Sequence, residues 1–110
     1  MPMKGPSLGE FEELVLLMVA ALHPEAYGVS ILEGLELRVA KKFNISAVHV
    51  ALKRLEDKGL VKSSFGGITD ERGGRRKKFY QITAFGKKAL DAAYELRAGL
   101  YLEIPKISFT

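Results

Sequence analysis

Apolar residues recur at steps of three and four along the first part of the chain, which is the period of a helix with one buried face. This pattern begins at Leu8 and continues to Leu22. The first helix is expected to end before Pro24, because proline disfavours helical geometry in the residue before it. His23 lies at that end, where the negative end of the helix dipole favours a surface position over metal ligation.

A second helix is predicted from Tyr27 or Gly28 to about Lys42. Gly34 weakens this helix and indicates close approach of another helix. The residues expected to face the core are Ile31, Leu32, Leu35 and Val39.

A third helix follows a short turn at Asn44, with Ser46 as its expected N-cap and Gly59 as its left-handed C-cap residue. Two helices joined by so short a connection form a helix-turn-helix. The predicted core side of the third helix consists of Val48, Ala51, Leu52 and Leu55. The opposite side consists of Ala47, His49, Val50, Lys53, Arg54 and Asp57.

Two alternating segments, LVKSSFGG and KFYQIT, predict an antiparallel hairpin. The glycine-rich and charged sequence between them is expected to be its flexible tip.

Thr83 then caps a last helix from about Ala84 to Leu102. Its two apolar stripes cover more than the roughly 100° that one domain needs, which predicts a second copy of the chain as partner. The residues assigned to that dimer contact are Leu90, Ala93, Tyr94, Arg97 and Tyr101.

The order of elements predicts a mainly α fold with a small β-hairpin. It is the layout of a winged helix-turn-helix, residues 1–83, followed by a C-terminal dimerisation helix and tail, residues 84–110. The tail is apolar enough to pack against another surface.

Charge and composition narrow the function. The formal net charge is +4, and the run from Arg72 to Lys78, RGGRRKK, has five basic residues and no acid. Such a local excess favours a polyanionic partner. The chain has no cysteine, and its two histidines are far apart, so no enzyme, metal site or cofactor is predicted. No apolar run is long enough to span a membrane, and we expect a soluble cytoplasmic protein.

Four segments, in order, resemble the motifs of the PadR-like transcriptional regulators: LGEFEELVLLMVAAL, AYGVSILEGLE, SAVHVALKRLEDKGLV and RGGRRKKFYQITAFGKKAL. The resemblance covers about Leu8 to Leu90, and the length is similar to that of the short subfamily with one dimerisation helix. It implies a homodimeric regulator, most simply a repressor, that binds a palindromic operator in double-stranded DNA.

The resemblance also implies which residues contact DNA. The third helix would lie in the major groove, and the wing would contact the backbone or minor groove. Where the family usually has a tyrosine early in the third helix, this chain has His49. The implied DNA contacts are Tyr27, Ser46, Ala47, His49, Val50, Lys53 and Arg54, and in the wing Arg72, Arg75, Arg76, Lys77 and Lys78.

Other interpretations stay open. Lys53, Arg54 and the basic run are also compatible with solvated surface, and Tyr27 and His49 with packing. The fold could serve as a protein-interaction module whose basic wing docks an acidic partner. A small apolar effector between the two last helices is a further alternative.

Overall fold

The computed structural model describes residues 8–68 and 76–110. The helices are α1 (Glu10–Ala21), α2 (Gly28–Val39), α3 (Ile45–Asp57) and α4 (Ala84–Leu102). The strands β1 (Val61–Ile68) and β2 (Arg76–Ile82) lie between α3 and α4 and form an antiparallel pair. The mainly α fold with one hairpin is therefore confirmed. Residues 1–7, whose two prolines and one glycine predict a loose arm, lie outside the described residues.

The core lies between α1, α2 and α3. α1 packs against both other helices, and its side chains Val15, Leu16 and Val19 are fully buried. All the residues predicted for the inner side of α3 are buried. Burying each Val or Leu side chain stabilises the fold by about 1.5–3 kcal/mol, so α1 provides the support on which α3 rests.

α2 is held close to α1 at Gly34. A Cβ at this position would lie 2.9 Å from the terminal methyl of Met18, so any larger residue would require the Met18 side chain to move. The helix ends at Val39 rather than near Lys42, because Ala40 adopts a left-handed conformation with φ 56°. Val39, expected to face the core, is 40% exposed because it lies in this last turn.

The two ends of α3 are fixed by hydrogen bonds. Its N-cap is Asn44, not Ser46, because the Asn44 Oδ1 accepts from the Ser46 N–H at 2.7 Å. Gly59 is left-handed as predicted, with φ 77°. The Leu60 N–H then donates to the Leu55 carbonyl at 2.9 Å, and the Leu60 side chain is fully buried. This is a Schellman ending with its hydrophobic contact.

The hairpin strands lie close to the predicted segments. β1 runs through both glycines of LVKSSFGG and ends at Ile68, and β2 begins at Arg76, two residues earlier than predicted, with an irregular register between Phe65 and Ile68. A Cβ at Gly66 would lie 2.6 Å from the Phe79 ring. This glycine therefore makes room for an aromatic side chain within the ladder. The predicted tip glycines Gly73 and Gly74 lie outside the described residues.

α4 begins where predicted and is tied to the end of α3. Thr83 Oγ1 accepts from the Gly86 N–H at 3.0 Å and donates to the Gly59 carbonyl at 2.7 Å. Gly86 is buried, and a Cβ there would collide with the Leu60 carbonyl oxygen. Leu90 is also buried, at 8% exposure. The first turns of α4 thus pack into the core of this chain.

The outer side of α4 carries exposed apolar residues. Arg97 Nη2 donates to Glu13 Oε1 of α1 at 3.0 Å, and this ion pair raises the pKa of Arg97. Residues 103–110 after the helix are exposed. In the described part of the chain, no helix has the length and hydropathy to cross a membrane. The exposed large apolar side chains of α4 are Phe85, Tyr94, Leu96, Leu100, Tyr101 and Leu102.

One carboxylate inside the fold joins α1 to α3. Glu12, 9% exposed, accepts from Lys58 Nζ at 2.6 Å and lies 3.9 Å from Arg54 Nη1. Burial would raise the pKa of Glu12. The pKa of Glu12 is nevertheless lowered, because two other effects outweigh burial. These are the hydrogen bonds from Lys58 and the Gly9 N–H, and the positive charges of Lys58 and Arg54. Its ionised form therefore stabilises the folded chain.

We expect Glu12→Gln to lower the free energy of unfolding by about 1–2 kcal/mol at pH 7, since it removes a buried charged partner of Lys58. Because the folded-state pKa of Glu12 is lowered, its stabilisation is present above the ordinary value of 4.5 and is lost as pH falls through the folded-state value. Urea denaturation at pH 7 and at decreasing pH, at one protein concentration, measures both effects.

Glu10→Gln, in the same turn but exposed, is the matched control and should change stability by less than about 0.5 kcal/mol. A Glu12→Gln variant as stable as wild type at pH 7 would contradict the role of this carboxylate.

Candidate nucleic-acid interface

The outer face of α3 lies opposite its buried stripe of Val48, Ala51, Leu52 and Leu55. Asn44 and the Schellman ending fix the length of the helix, and its buried stripe fixes its rotation, so the same residues always face outward. Thirteen residues give a helix about 20 Å long. Every predicted contact residue on this helix is exposed: Ser46, Ala47, His49, Val50, Lys53 and Arg54.

The two long basic side chains of α3 already have acidic neighbours. Lys53 Nζ donates to Asp57 Oδ1 at 2.8 Å, and this hydrogen bond raises the pKa of Lys53. Arg54 lies 3.9 Å from a carboxylate oxygen of Glu12. Both basic side chains are more than half exposed, and surface ion pairs contribute roughly 0–1 kcal/mol. Either cation can therefore exchange its partner for an external anion at low cost.

The start of α2 is joined to the wing by backbone pairing. The Tyr80 N–H donates to the Ala26 carbonyl at 2.8 Å, and Tyr27 forms a β-bridge with Phe79. The rings of Tyr27 and Phe79 make an edge contact with centroids 5.7 Å apart. β2 thereby has β1 on one side and the segment before α2 on the other. The base of the wing has a fixed position relative to the helices.

This pairing brings the basic residues of β2 beside Tyr27. Lys77 is half-buried, and its Nζ lies 4.4 Å from the centroid of the Tyr27 ring, a cation–π contact. Arg76 and Lys78 are exposed. Tyr27 is both a packing residue and part of this surface, so the two interpretations of it are compatible.

His49 lies against the first residue of α2. A Cβ at Gly28 would be 2.8 Å from His49 Cε1 and 3.2 Å from Nε2, so the imidazole fits only because residue 28 is glycine. His49 nevertheless stays exposed on its other side. It too is both a packing residue and a surface residue.

These elements surround one open hollow of about 320 Å³. Its lining comes from the start of α2, from α3 and from β2: Tyr27, Gly28, Val29, His49, Lys77, Lys78 and Tyr80. The structure thus brings together Tyr27, His49 and two of the predicted wing residues. The arrangement offers cations around an apolar floor, which suits a polyanion that carries flat or methylated groups.

Some predicted contacts lie elsewhere, and some members of the hollow were not predicted. Arg72 and Arg75 lie outside the described residues. Ser46, Ala47, Val50, Lys53 and Arg54 share the outer face of α3 but do not line the hollow. Gly28, Val29 and Tyr80 were not singled out from the sequence. The AYG sequence marks Gly28 at the start of the second helix. Nothing in the sequence indicates that Gly28 contacts His49.

Comparison with known proteins gives one family. A family model described as the transcriptional regulator PadR-like family matches residues 16–92. An uncharacterised protein from Lysinibacillus sphaericus is 30% identical over 84 residues, which are 74% of this chain and 72% of that protein.

Solved structures show the same fold. A PadR family transcription regulator from hypervirulent Clostridium difficile matches with a TM-score of 0.70 and 24% identity, over 86% of this chain and 93% of that chain. RosR from H. salinarum matches with a TM-score of 0.67 and 25% identity, over 90% of this chain and 82% of that chain. The winged-helix arrangement predicted from the order of elements is confirmed.

The contact between Gly28 and His49 gives a testable prediction. In Gly28→Ala the added methyl group displaces the imidazole, so we expect the His49 ring resonances to shift in an NMR spectrum. The chain has two histidines, and His23 serves as internal control. Stability should change by less than about 1 kcal/mol, because the ring can move into solvent and alanine favours the helix.

Gly99→Ala is the matched variant, since nothing lies within 4 Å of a Cβ there. It should leave the His49 resonances unchanged. Identical His49 resonances in Gly28→Ala and wild type would show that the ring does not lie on Gly28.

Proposed function

Because the chain belongs to the PadR-like family of transcriptional regulators, a family of DNA-binding regulators, we propose that it is a homodimeric repressor. In this proposal α3 lies in the major groove of a palindromic operator, and the basic wing contacts the DNA backbone or minor groove. The observation that carries the proposal is the hollow in which His49 from the outer face of α3 lies together with the start of α2 and the basic residues Lys77 and Lys78 of β2. The function proposed is binding, with no catalytic step.

The dimensions of α3 support insertion into DNA. The major groove is about 12 Å wide and admits one helix, whose N-terminal residues meet the base edges. The first two turns of α3 carry short residues, Ser46 and Ala47, so the backbone can approach the bases closely. Lys53 and Arg54, further along, would reach a base or a phosphate after releasing Asp57 and Glu12.

The wing would supply most of the electrostatic attraction. Arg76 and Lys78 are exposed, and Lys77 lies over the Tyr27 ring beside α3. Each phosphate that such a cation neutralises releases counterions, and this term is independent of sequence. The proposed contacts of Arg72 and Arg75 would extend the same basic surface.

A homodimer is supported by the outer face of α4. Tyr94 and Tyr101 are each 73% exposed, and neighbouring Leu96 and Leu100 are also exposed. So many large apolar groups on one helix favour burial against a partner. We propose an isologous contact between the α4 helices of two copies, in which Ala93 and Arg97 also take part.

Two copies related by a two-fold axis would present two α3 helices to one face of DNA. The half-sites would then be spaced by about one or two helical turns. Occupancy of such an operator would repress transcription, in the cytoplasm where regulators of this family act. A small apolar effector held between the two α4 helices is proposed as the means of relief.

The alternative is an acidic protein as the partner of the wing. A mobility-shift assay with random-sequence duplex DNA at low salt distinguishes these two functions. Only a DNA-binding protein would retard the duplex. Selection of bound sequences from a random DNA pool then tests the palindrome and its spacing together. A chain that bound no duplex at low salt would overturn the proposal.

We expect Arg76→Ala and Lys78→Ala each to weaken binding to every duplex. Each should also lower the slope of log affinity against log salt concentration by about 1.8 for the dimer, because the operator complex loses one phosphate contact per copy at about 0.9 each. Lys53→Ala and Arg54→Ala should instead change the sequence preference. Titrations at several salt concentrations measure the slope.

Lys106→Ala, which removes one exposed cation from the tail, is the matched control and should leave the slope unchanged. Wing variants with the wild-type slope would show that β2 makes no phosphate contact.

For the dimer, we expect light scattering at micromolar concentration to give twice the 12.1 kDa of one chain. Tyr94→Glu places a charge in the proposed contact, and the variant should be monomeric with an unchanged circular dichroism spectrum. Lys88→Glu, on the polar side of α4, should stay dimeric. A wild-type chain found only as a monomer would contradict the dimer.

A further inference from the structure

The first two turns of α3 present an apolar side chain at the centre of the outer face. Val50 is 50% exposed and lies roughly 140° around the helix from the buried Leu55. It therefore contributes little to the core of its own protomer. A single exposed valine is ordinary on a protein surface, and its meaning here depends on its neighbours.

Those neighbours offer few hydrogen-bonding groups to a base. In these two turns, which are described in full, the polar outer residues are the short Ser46 and His49, whose ring lies on Gly28. The long donors come one turn later: Lys53, which pairs with Asp57 at 2.8 Å, and Arg54, which lies 3.9 Å from Glu12. In the proposed complex the first two turns of α3 lie deepest in the major groove. The side chains that they present to the base edges therefore end mainly in methyl groups.

We propose that α3 selects its operator through the 5-methyl group of thymine, contacted by Val50 and Ala47. This inference rests on the proposed insertion of α3 into the major groove. Among the base edges in that groove, the thymine methyl is the apolar group, and short apolar side chains contact it. Hydrogen bonding to bases would contribute less at these positions than exclusion of water from the methyl.

The spacing of the two side chains fits neighbouring base pairs. Ala47 and Val50 are three residues apart, about 4.5 Å along the helix axis. Successive base pairs are about 3.4 Å apart along one strand. Each half-site should therefore contain thymine at one or two adjacent base pairs opposite the first turns of α3.

The test replaces thymine by deoxyuridine, which removes the methyl and nothing else. In the operator obtained by selection, each thymine is replaced in turn, and affinity for the full chain is measured at one salt concentration. For at least one thymine in each half-site, wild type should bind the deoxyuridine operator about fourfold more weakly, the effect of one methyl-sized group. Val50→Ala should bind the thymine operator more weakly and show a clearly smaller difference at that position.

Leu37→Ala is the matched control, because Leu37 is an exposed apolar residue, 82% accessible, near the opposite end of α2 from Tyr27. It should keep the full difference between thymine and deoxyuridine. A second comparison separates the methyl from the rest of the base. Replacing the sensitive T·A pair by C·G should weaken binding, and 5-methylcytosine at that position should recover about fourfold.

Affinity that is insensitive to every deoxyuridine replacement would overturn methyl recognition while leaving operator binding intact. A Val50→Ala variant with the full wild-type difference would overturn the assignment to Val50. Failure to select any DNA sequence would overturn the proposed function, and methyl recognition with it.

Discussion

The packing of α3 against α1 is the constraint on which the other features depend. Val48, Leu52 and Leu55 are fully buried, as are the α1 side chains beneath them. This contact sets the rotation of α3 and hence which side chains are outside. It is reinforced at its edge by Glu12, which receives a hydrogen bond from Lys58 just after α3. The same carboxylate lies near Arg54, so the support of the helix and its outer face are electrostatically connected.

A second constraint is the attachment of the wing to the start of α2. Two contacts attach β2 to the start of α2. The Tyr80 N–H donates to the Ala26 carbonyl, and Lys77 lies over the Tyr27 ring. They place cations from β2 within the same hollow as His49. The proposed base contact at His49 and the proposed phosphate contacts of the wing therefore adjoin one hollow, although they come from different elements.

The elements themselves were predictable because they follow from local rules. The buried stripe of α3, the left-handed Gly59 and the Thr83 cap all follow from spacing or residue type. Contacts between distant segments do not follow from spacing or residue type. Glu12 is one of three acids in a helical turn and looks solvated, yet Lys58, 46 positions away, allows its burial. The role of Gly66 was not predictable either, because it depends on Phe79 across the ladder.

The glycine beneath His49 has a consequence for how this protein could diverge. Any side chain at position 28 would displace the His49 imidazole from its present position. It would therefore change the surface at the start of α3. A substitution outside α3 can therefore move a side chain on its outer face. Positions 28 and 49 are coupled, because a ring at position 49 keeps its present place only while residue 28 is glycine.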